Sequence, residues 1–391
     1  MVEDPFASPE RRALRELAAD FTQREIAPNL AHWEREGQIP REAHRRAAQA
    51  GILGIGFAED LGGSGGDLID VVTLTEALLE NGASGGVVAA LFSHGIALPH
   101  VADEVVRRRE RGDAPGAAYL IDRYLAPVLA GESVAALAVT EPDGGSDVAR
   151  LRTRATRVDD HWEVSGAKTY ITSGVRADVV VAAVRTGGEG APGISLLCLD
   201  PRAEGYVAPR ALEKMGWLCS DTAELSFEGV AVDDLDVLGE GLGFASLATH
   251  FAAERLSLAV TAYSTGQRAL DLTLDWVRQR ETFGRPLMSR QVVRHTLVEM
   301  HRQVDVARRY TRDIAIRAAA GQSVIAEAAL AKKTAVDACA YVVDQAVQLH
   351  GGMGYMRESE VERHYRDARV LGIGGGATEV MTDLVARLLG Y

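Results

Sequence analysis

Cysteine is scarce in this chain. Three occur in 391 residues, at Cys198, Cys219 and Cys339. They are scattered, with no CxxC pair and no histidine at metal-ligand spacing, which argues against a disulfide framework and a metal site and for reduced thiols in a cytoplasmic protein. Positive charge is also in deficit. Lys plus Arg number 42 against 55 Asp plus Glu, a net charge of −13. Nucleic acid or an anionic membrane is therefore a poor main partner. The apolar runs, such as Val179 to Val184, are too short to cross a bilayer. Met1-Val2-Glu3-Asp4 lacks the basic start and apolar core of a signal peptide. No internal repeat and no low-complexity segment appears.

Apolar residues, in contrast, are plentiful. At 47% of the chain they suffice for a large core, and the length suggests two or three domains. Residues 1–130 read as mainly helical. Ser8-Pro9-Glu10 is a helix start, and Leu14, Leu17, Ala18, Phe21 and Ile26 share a face. Arg41 to Ala50 and Ile69 to Glu80 follow as helices, and Val87 to Ala97 reads as buried. The charged run Val105 to Gly112 reads as a solvated helix end. Residues 131–238 change period: Leu151–Val158, His161–Ser165, Asp178–Val184, Ile194–Leu199 and Ala223–Val230 are short β-rich runs between turns. Residues 239–391 return to long helices, at Phe244–Val277, Leu287–Ala319, Ile325–His350 and Thr378–Leu389. The expected class is α+β, with an all-α domain, a middle β domain and a C-terminal four-helix-bundle domain.

The chemistry centres on Leu137-Ala138-Val139-Thr140-Glu141-Pro142-Asp143-Gly144-Gly145-Ser146-Asp147. An apolar strand from Val134 to Val139 runs into a turn of Pro, Asp and Gly. Backbone N–H groups and the Thr140 and Ser146 hydroxyls are left free for a ligand. Taken alone, a strand ending in a polar surface loop explains the pattern equally well. The stretch resembles the signature of the acyl-CoA dehydrogenase family, flavoenzymes that oxidise acyl thioesters, and the helical–β–helical order is that family's layout. The resemblance implies FAD as cofactor and Leu137, Val139, Thr140 and Ser146 as contacts to flavin and thioester, Ser146 touching the substrate.

Four further segments carry the resemblance. Gly166-Ala167-Lys168-Thr169-Tyr170-Ile171-Thr172-Ser173 is similar to the segment whose aromatic and Thr face the flavin, with Tyr170 where Trp is commoner, and Thr172 beside it. Glu213-Lys214-Met215-Gly216-Trp217 and Ser220-Asp221-Thr222 resemble the next motif. Arg280-Glu281-Thr282-Phe283-Gly284-Arg285-Pro286, with Gln291, looks like the segment that reaches a neighbouring subunit's cofactor, where an Arg suits a pyrophosphate. A helix-end cation is the other reading of Arg280. Gln348-Leu349-His350-Gly351-Gly352 resembles the loop at the adenosine side, so Gln348, Gly351 and Gly352 are implied cofactor contacts, and His350 is structural. Gly372-Ile373-Gly374-Gly375-Gly376-Ala377 imitates a nicotinamide-dinucleotide fingerprint. The fifteen residues after Gly376 are too few for the βαβ unit that fingerprint needs.

Oxidising a thioester needs a base beside the α-carbon. Many family members carry a Glu directly before Gly-Thr, a few residues after Arg-Asp-Ala. In Arg366-Asp367-Ala368-Arg369-Val370-Leu371-Gly372-Ile373-Gly374-Gly375-Gly376-Ala377 that register puts Gly375 at the base position, and Ala377 where Thr is usual. The long-chain and isovaleryl-CoA dehydrogenase subfamilies instead carry the base on a C-terminal-domain helix, just before an Arg. Phe251-Ala252-Ala253-Glu254-Arg255-Leu256 matches that pattern. Residue chemistry alone leaves Glu254 open to being solvent-facing, or paired with Arg255 or a distant cation. The resemblance implies Glu254 as base, the Gly375 N–H as a donor to the thioester oxygen, and Arg255 at the substrate. It also implies an acyl-CoA substrate, an electron-transfer flavoprotein as partner and a homotetramer built as a dimer of dimers. An acyl-CoA oxidase or flavin monooxygenase on the same fold, and a non-catalytic subunit of a hetero-oligomer, are the other classes.

Overall fold

A computed structural model describes residues 4–391. Eight helices open the chain: α1 (Pro9–Phe21), α2 (Leu30–Glu36), α3 (Arg41–Gln49), α4 (Leu68–Glu80), α5 (Gly85–Leu91), α6 (His94–Glu110), α7 (Ala114–Leu120) and α8 (Ala126–Leu129). Their starts are encoded locally. Ser8 Oγ accepts from Arg11 N with Pro9 at the first helical position, and Asp67 and Asp70 form a reciprocal capping box on α4. Arg11 bridges the two starts by donating to Asp67 (2.9 Å) and Asp70 (2.7 Å).

The middle of the chain is a seven-stranded sheet ordered β1-β4-β2-β3-β7-β6, with β5 also on β4. The strands are β1 (Ala135–Ala138), β2 (Arg154–Val158), β3 (His161–Thr172), β4 (Val179–Arg185), β5 (Ile194–Leu199), β6 (Tyr206–Ala211) and β7 (Thr222–Asp233). Central β4 is buried at every position, as its unbroken apolar run requires. It pairs in parallel with β1, Ala135 opposite Val179. Strand β3 runs seven residues past the expected Ser165, because its second half pairs with β7 although its residues do not alternate in polarity. Half-exposed β6 was not expected from the sequence, since an edge strand has no buried face to pattern.

A two-stranded hairpin, β8 (Glu281–Thr282) and β9 (Arg285–Pro286), interrupts the C-terminal helices α9 (Gly243–Gln279), α10 (Gln291–Ala319), α11 (Ile325–His350), α12 (Glu360–Ala368) and α13 (Thr378–Leu388). A core cluster of Ala259, Tyr263, Leu297, Met300, Ala335, Ala338 and Val342 joins α9, α10 and α11. The Gly372–Ala377 stretch follows a short 3-10 turn rather than a strand, so its glycines do not form a dinucleotide fold.

Two expectations are corrected. The charged run 105–112 is not simply solvated. Arg108 is 2% exposed, pairs with buried Glu104 at 3.0 Å and donates to the carbonyls of Gly116 and Leu235, tying α6 to the sheet domain. Periodicity could not show this, because the partners lie as far away as residue 237. The stretch Gly85–Glu110 is, by length and composition, apolar enough to cross a membrane, unlike the short runs noted above. It is two helices broken at Phe92–Ser93, and Ala97, Leu98, Val101 and Val105 lie in a core cluster with β1 and β4 residues. The three cysteines are buried and free, and fall in three different core clusters.

Candidate active site

At the end of β1 the chain turns away from the sheet, and Glu141 fastens the turn. Its carboxylate accepts from Arg152 N (2.6 Å), Thr153 N (2.8 Å) and Lys168 Nζ (2.9 Å). The Lys168 ammonium, fully buried, also donates to Val139 O at 3.0 Å. Burial opposes charge on Glu141, but Lys168 and the two backbone donors outweigh it and hold the carboxyl below its usual range. Burial pushes Lys168 down to about 8. Glu141 is thus the staple of the loop. The loop itself, Pro142 to Asp147, is exposed and includes Ser146.

Beside this strand end β3 is irregular between Lys168 and Ile171. Thr169 N donates to Thr140 O at 2.9 Å, which seats the irregularity against Thr140. Tyr170 occupies it with a φ of 59° and is 71% exposed. A bulky side chain in the left-handed region is strained, and a large aromatic that is also exposed marks a surface built to meet something flat. Thr172, half-buried, follows on the same strand. Leu137 on β1, Val139 just after it, and Phe244 and Phe251 on α9 pack on one shared core cluster, which brings the start of α9 to the strand end.

One turn beyond Phe251, half-buried Glu254 faces the loop between α12 and α13. Gly375 has a φ of 63°; a Cβ built there would lie 3.2 Å from Glu254 Oε1, 2.3 Å from Leu258 Cδ1 and 3.6 Å from Lys332 Nζ. The carboxylate therefore reaches the point where a side chain at 375 would begin. Burial raises Glu254 above the usual carboxylate range, against the opposing charges of Lys332 and Arg255. Arg255 is buried, lies 5.5 Å above the Phe251 ring, and its Nε has no partner within the protein. Lys332 is the distant cation, and nothing in the apolar pattern of α11 singled it out.

The remaining candidate residues are elsewhere. Trp276 lies 22 residues after Glu254 on unbroken α9, about 33 Å away at 1.5 Å per residue. Its Nε1 donates to Leu349 O at 3.1 Å and its ring stacks on His350 at 5.1 Å, which fixes the Gln348–Gly352 loop at this far end. Arg280 caps the helix with its guanidinium 5.9 Å over Trp276. The β8–β9 turn holds Phe283 at a φ of 50° and 98% exposed, and Gln291 is exposed at the head of α10. The structure thus groups Leu137, Val139, Thr140 and Tyr170 at the strand end, and Glu254, Arg255 and Gly375 one turn along α9 from Phe251, which packs on the same cluster as Leu137 and Val139. It sets Arg280, Phe283, Gln348, Gly351 and Gly352 apart at the other end.

A flavin fits both sets of donors. Thr140 and Thr172 offer hydroxyls beside an exposed aromatic ring, the chemistry a polar planar heterocycle requires. At the far end a Cβ on Gly351 or Gly352 would meet nothing within 4 Å, so bare backbone stands open to a phosphate with Arg280 nearby.

Models of the acyl-CoA dehydrogenase N-terminal, middle and C-terminal domains match residues 8–109, 136–230 and 241–390. The mitochondrial long-chain specific acyl-CoA dehydrogenase of Rattus norvegicus is 35% identical over 385 residues, covering 97% of this chain and 86% of that one. A crystal structure of a probable acyl-CoA dehydrogenase from Mycobacterium abscessus is similar with a TM-score of 0.94 and 56% identity, over 98% of this chain and all of that one. The butyryl-CoA dehydrogenase of Megasphaera elsdenii superposes with a TM-score of 0.89 at 29% identity, over 98% of this chain and 99% of that one. With all three domain models matched in order, the chain belongs to the acyl-CoA dehydrogenase family and is an FAD-dependent oxidoreductase of acyl-CoA thioesters.

Proposed function

We propose that the chain catalyses α,β-dehydrogenation of an acyl-CoA to the 2-enoyl-CoA with Glu254 as the base. One observation carries the assignment: the Glu254 carboxylate lies 3.2 Å from the point where a side chain at residue 375 would start, and that residue is glycine. Two family placements of the base thereby converge on one spot from two backbones. Glu254 takes the α-proton, and its raised affinity for protons suits a base acting near neutral pH. The electrons of the broken C–H bond need an acceptor at the carbonyl. No group among the described residues accepts the Gly375 N–H, which leaves it as a donor to the thioester oxygen as charge develops there. Arg255 and Ser146 hold the substrate, and Leu137, Val139, Thr140, Tyr170 and Thr172 hold the ring of the cofactor. FAD, when bound, supplies the hydride acceptor, which an electron-transfer flavoprotein then reoxidises.

Arg280, Phe283, Gln291, Gln348, Gly351 and Gly352 serve the cofactor of a neighbouring copy. The length of α9 supports this reading: one chain cannot bring both ends to one ring. A homotetramer, as a dimer of dimers, supplies each end with its complement, and its place is the cytoplasm in acyl-thioester metabolism. The test is anaerobic flavin bleaching of the purified protein over a panel of acyl-CoAs of varied length and branching. Bleaching by one member, with slow reoxidation by oxygen, is expected. Failure with every member would leave a non-catalytic subunit, and fast reoxidation would make the protein an oxidase.

A further inference from the structure

Lys332 and Lys333 are neighbours on α11 with opposite surroundings. Lys333 is a surface residue paired with Asp337 at 2.6 Å, four residues on. Lys332 is 2% exposed and, among the described residues, stands short of ion-pair contact with any carboxylate. Its Nζ donates to the carbonyl of Gly376 at 2.7 Å and to that of Gly374. Gly375 and Gly376 both have left-handed φ values, 63° and 96°, and this double turn aims two carbonyls at one ammonium. A buried cation is costly unless something answers its charge. The carboxylate that acts on its charge is Glu254: both Nζ and Oε1 approach the Cβ point of Gly375, at 3.6 and 3.2 Å.

We infer that Lys332 is the positioning residue of this site: it locks the Gly374–Gly376 loop, which fixes the Gly375 N–H, and it holds Glu254 in its anionic form. The inference rests on the site described above and extends it to a residue outside every motif. The other charges around α9 are accounted for. Arg255 faces Glu254 from the same helix. From α4 and α10, Glu76 pairs with Arg312 and Glu80 with Arg308. The facing glycine loop carries no charge. Burial pushes Lys332 itself down to about 8, against the opposing charge of Glu254.

The test uses holoenzyme and three substitutions. Lys332→Gln keeps an N–H for the carbonyls without the charge, Lys332→Met removes both, and Lys332→Arg keeps the charge. Glu254 is titrated by infrared spectroscopy, its carboxyl band identified by its loss in Glu254→Gln. An opposite charge within about 4–6 Å shifts a carboxylate by about 1–3 pH units. The Glu254 midpoint should therefore rise by about one unit or more in the Gln and Met variants and far less in Arg. The acid limb of flavin reduction should move upward with it. Lys332→Gln should bind FAD and fold, so it carries the test if Lys332→Met does not fold. An unchanged Glu254 midpoint in folded Lys332→Gln overturns the inference. A midpoint that moves while the acid limb stays put upholds Lys332 and overturns Glu254 as base.

Discussion

The two ends of α9 differ in how complete they are. Near its head, Glu254, Arg255, Lys332 and the Gly375 loop are buried or half-buried and answer one another within a single chain. At its tail Arg280, Phe283 and Gln291 are exposed, and Phe283 is held there on left-handed backbone. Within its own chain the Phe283 ring meets the Arg290 guanidinium at 5.8 Å, and nothing buries it. On the proposed function, the contrast would make the head a reaction centre complete within one chain and the tail half of a contact that a second copy completes.

The comparison breaks most sharply at Glu254. Glu254→Gln keeps the shape of the head and removes its proton acceptor. Flavin reduction by a confirmed substrate should slow by about 10²–10⁴ in stopped-flow measurements while FAD stays bound. In the unsubstituted protein that rate should fall as pH drops through a midpoint above the ordinary carboxylate range, because burial raises Glu254. A rate unchanged by Glu254→Gln would move the search for a base away from this helix.

At the tail, Arg280→Ala should leave the head chemistry intact and loosen FAD. A lost hydrogen bond to a charged group corresponds to about 1.5–3 kcal/mol, roughly 10- to 150-fold in affinity. Retention of FAD should then depend on protein concentration in gel filtration. Equal retention at all concentrations would confine Arg280 to its local place over Trp276.

Moving the carboxylate from one backbone to the other sharpens the account of the head. Glu254→Gly with Gly375→Glu restores a carboxylate to the same point, but the new Cβ would collide with Leu258, 2.3 Å away. Adding Leu258→Ala should recover about tenfold of the rate lost in Glu254→Gln, as a misplaced base regains part of its share. The pair without Leu258→Ala should recover less.

The smallest effect on rate belongs to Glu141. Glu141→Gln should lower stability by about 2 kcal/mol, since its partners include a buried ammonium, and change proton abstraction little. Glu141 is held below its usual range, so its stabilisation is present above the unfolded value, near 4.5, and fades as pH falls through the folded one. Melting curves of the two proteins should therefore converge in acid.

Much of this was legible before folding. The long helices Gly243–Gln279 and Ile325–His350 show in a continuous apolar stripe, and Ile194–Leu199 shows in an unbroken apolar run between turns. These are local signals. The second half of β3 and all of β6 were not legible, because their pairing partners, not their own residues, make them strands. Arg108 read as surface charge because its acceptors lie as far away as Leu235 and Val237.

What the sequence determined by itself was the family and the α–β–α order, and from them the expectation that a carboxylate before an Arg replaces the one missing at Gly375. These rest on short motifs and local periodicity, each read within its own segment. Tertiary structure decided that Glu254 reaches the Gly375 position, that Lys332 stands beside both, and that the Arg280 end lies a helix length away. Those facts depend on where separate segments meet. Buried charge makes the meeting matter, since a carboxylate or an ammonium out of water acquires its proton affinity from whatever the fold sets against it.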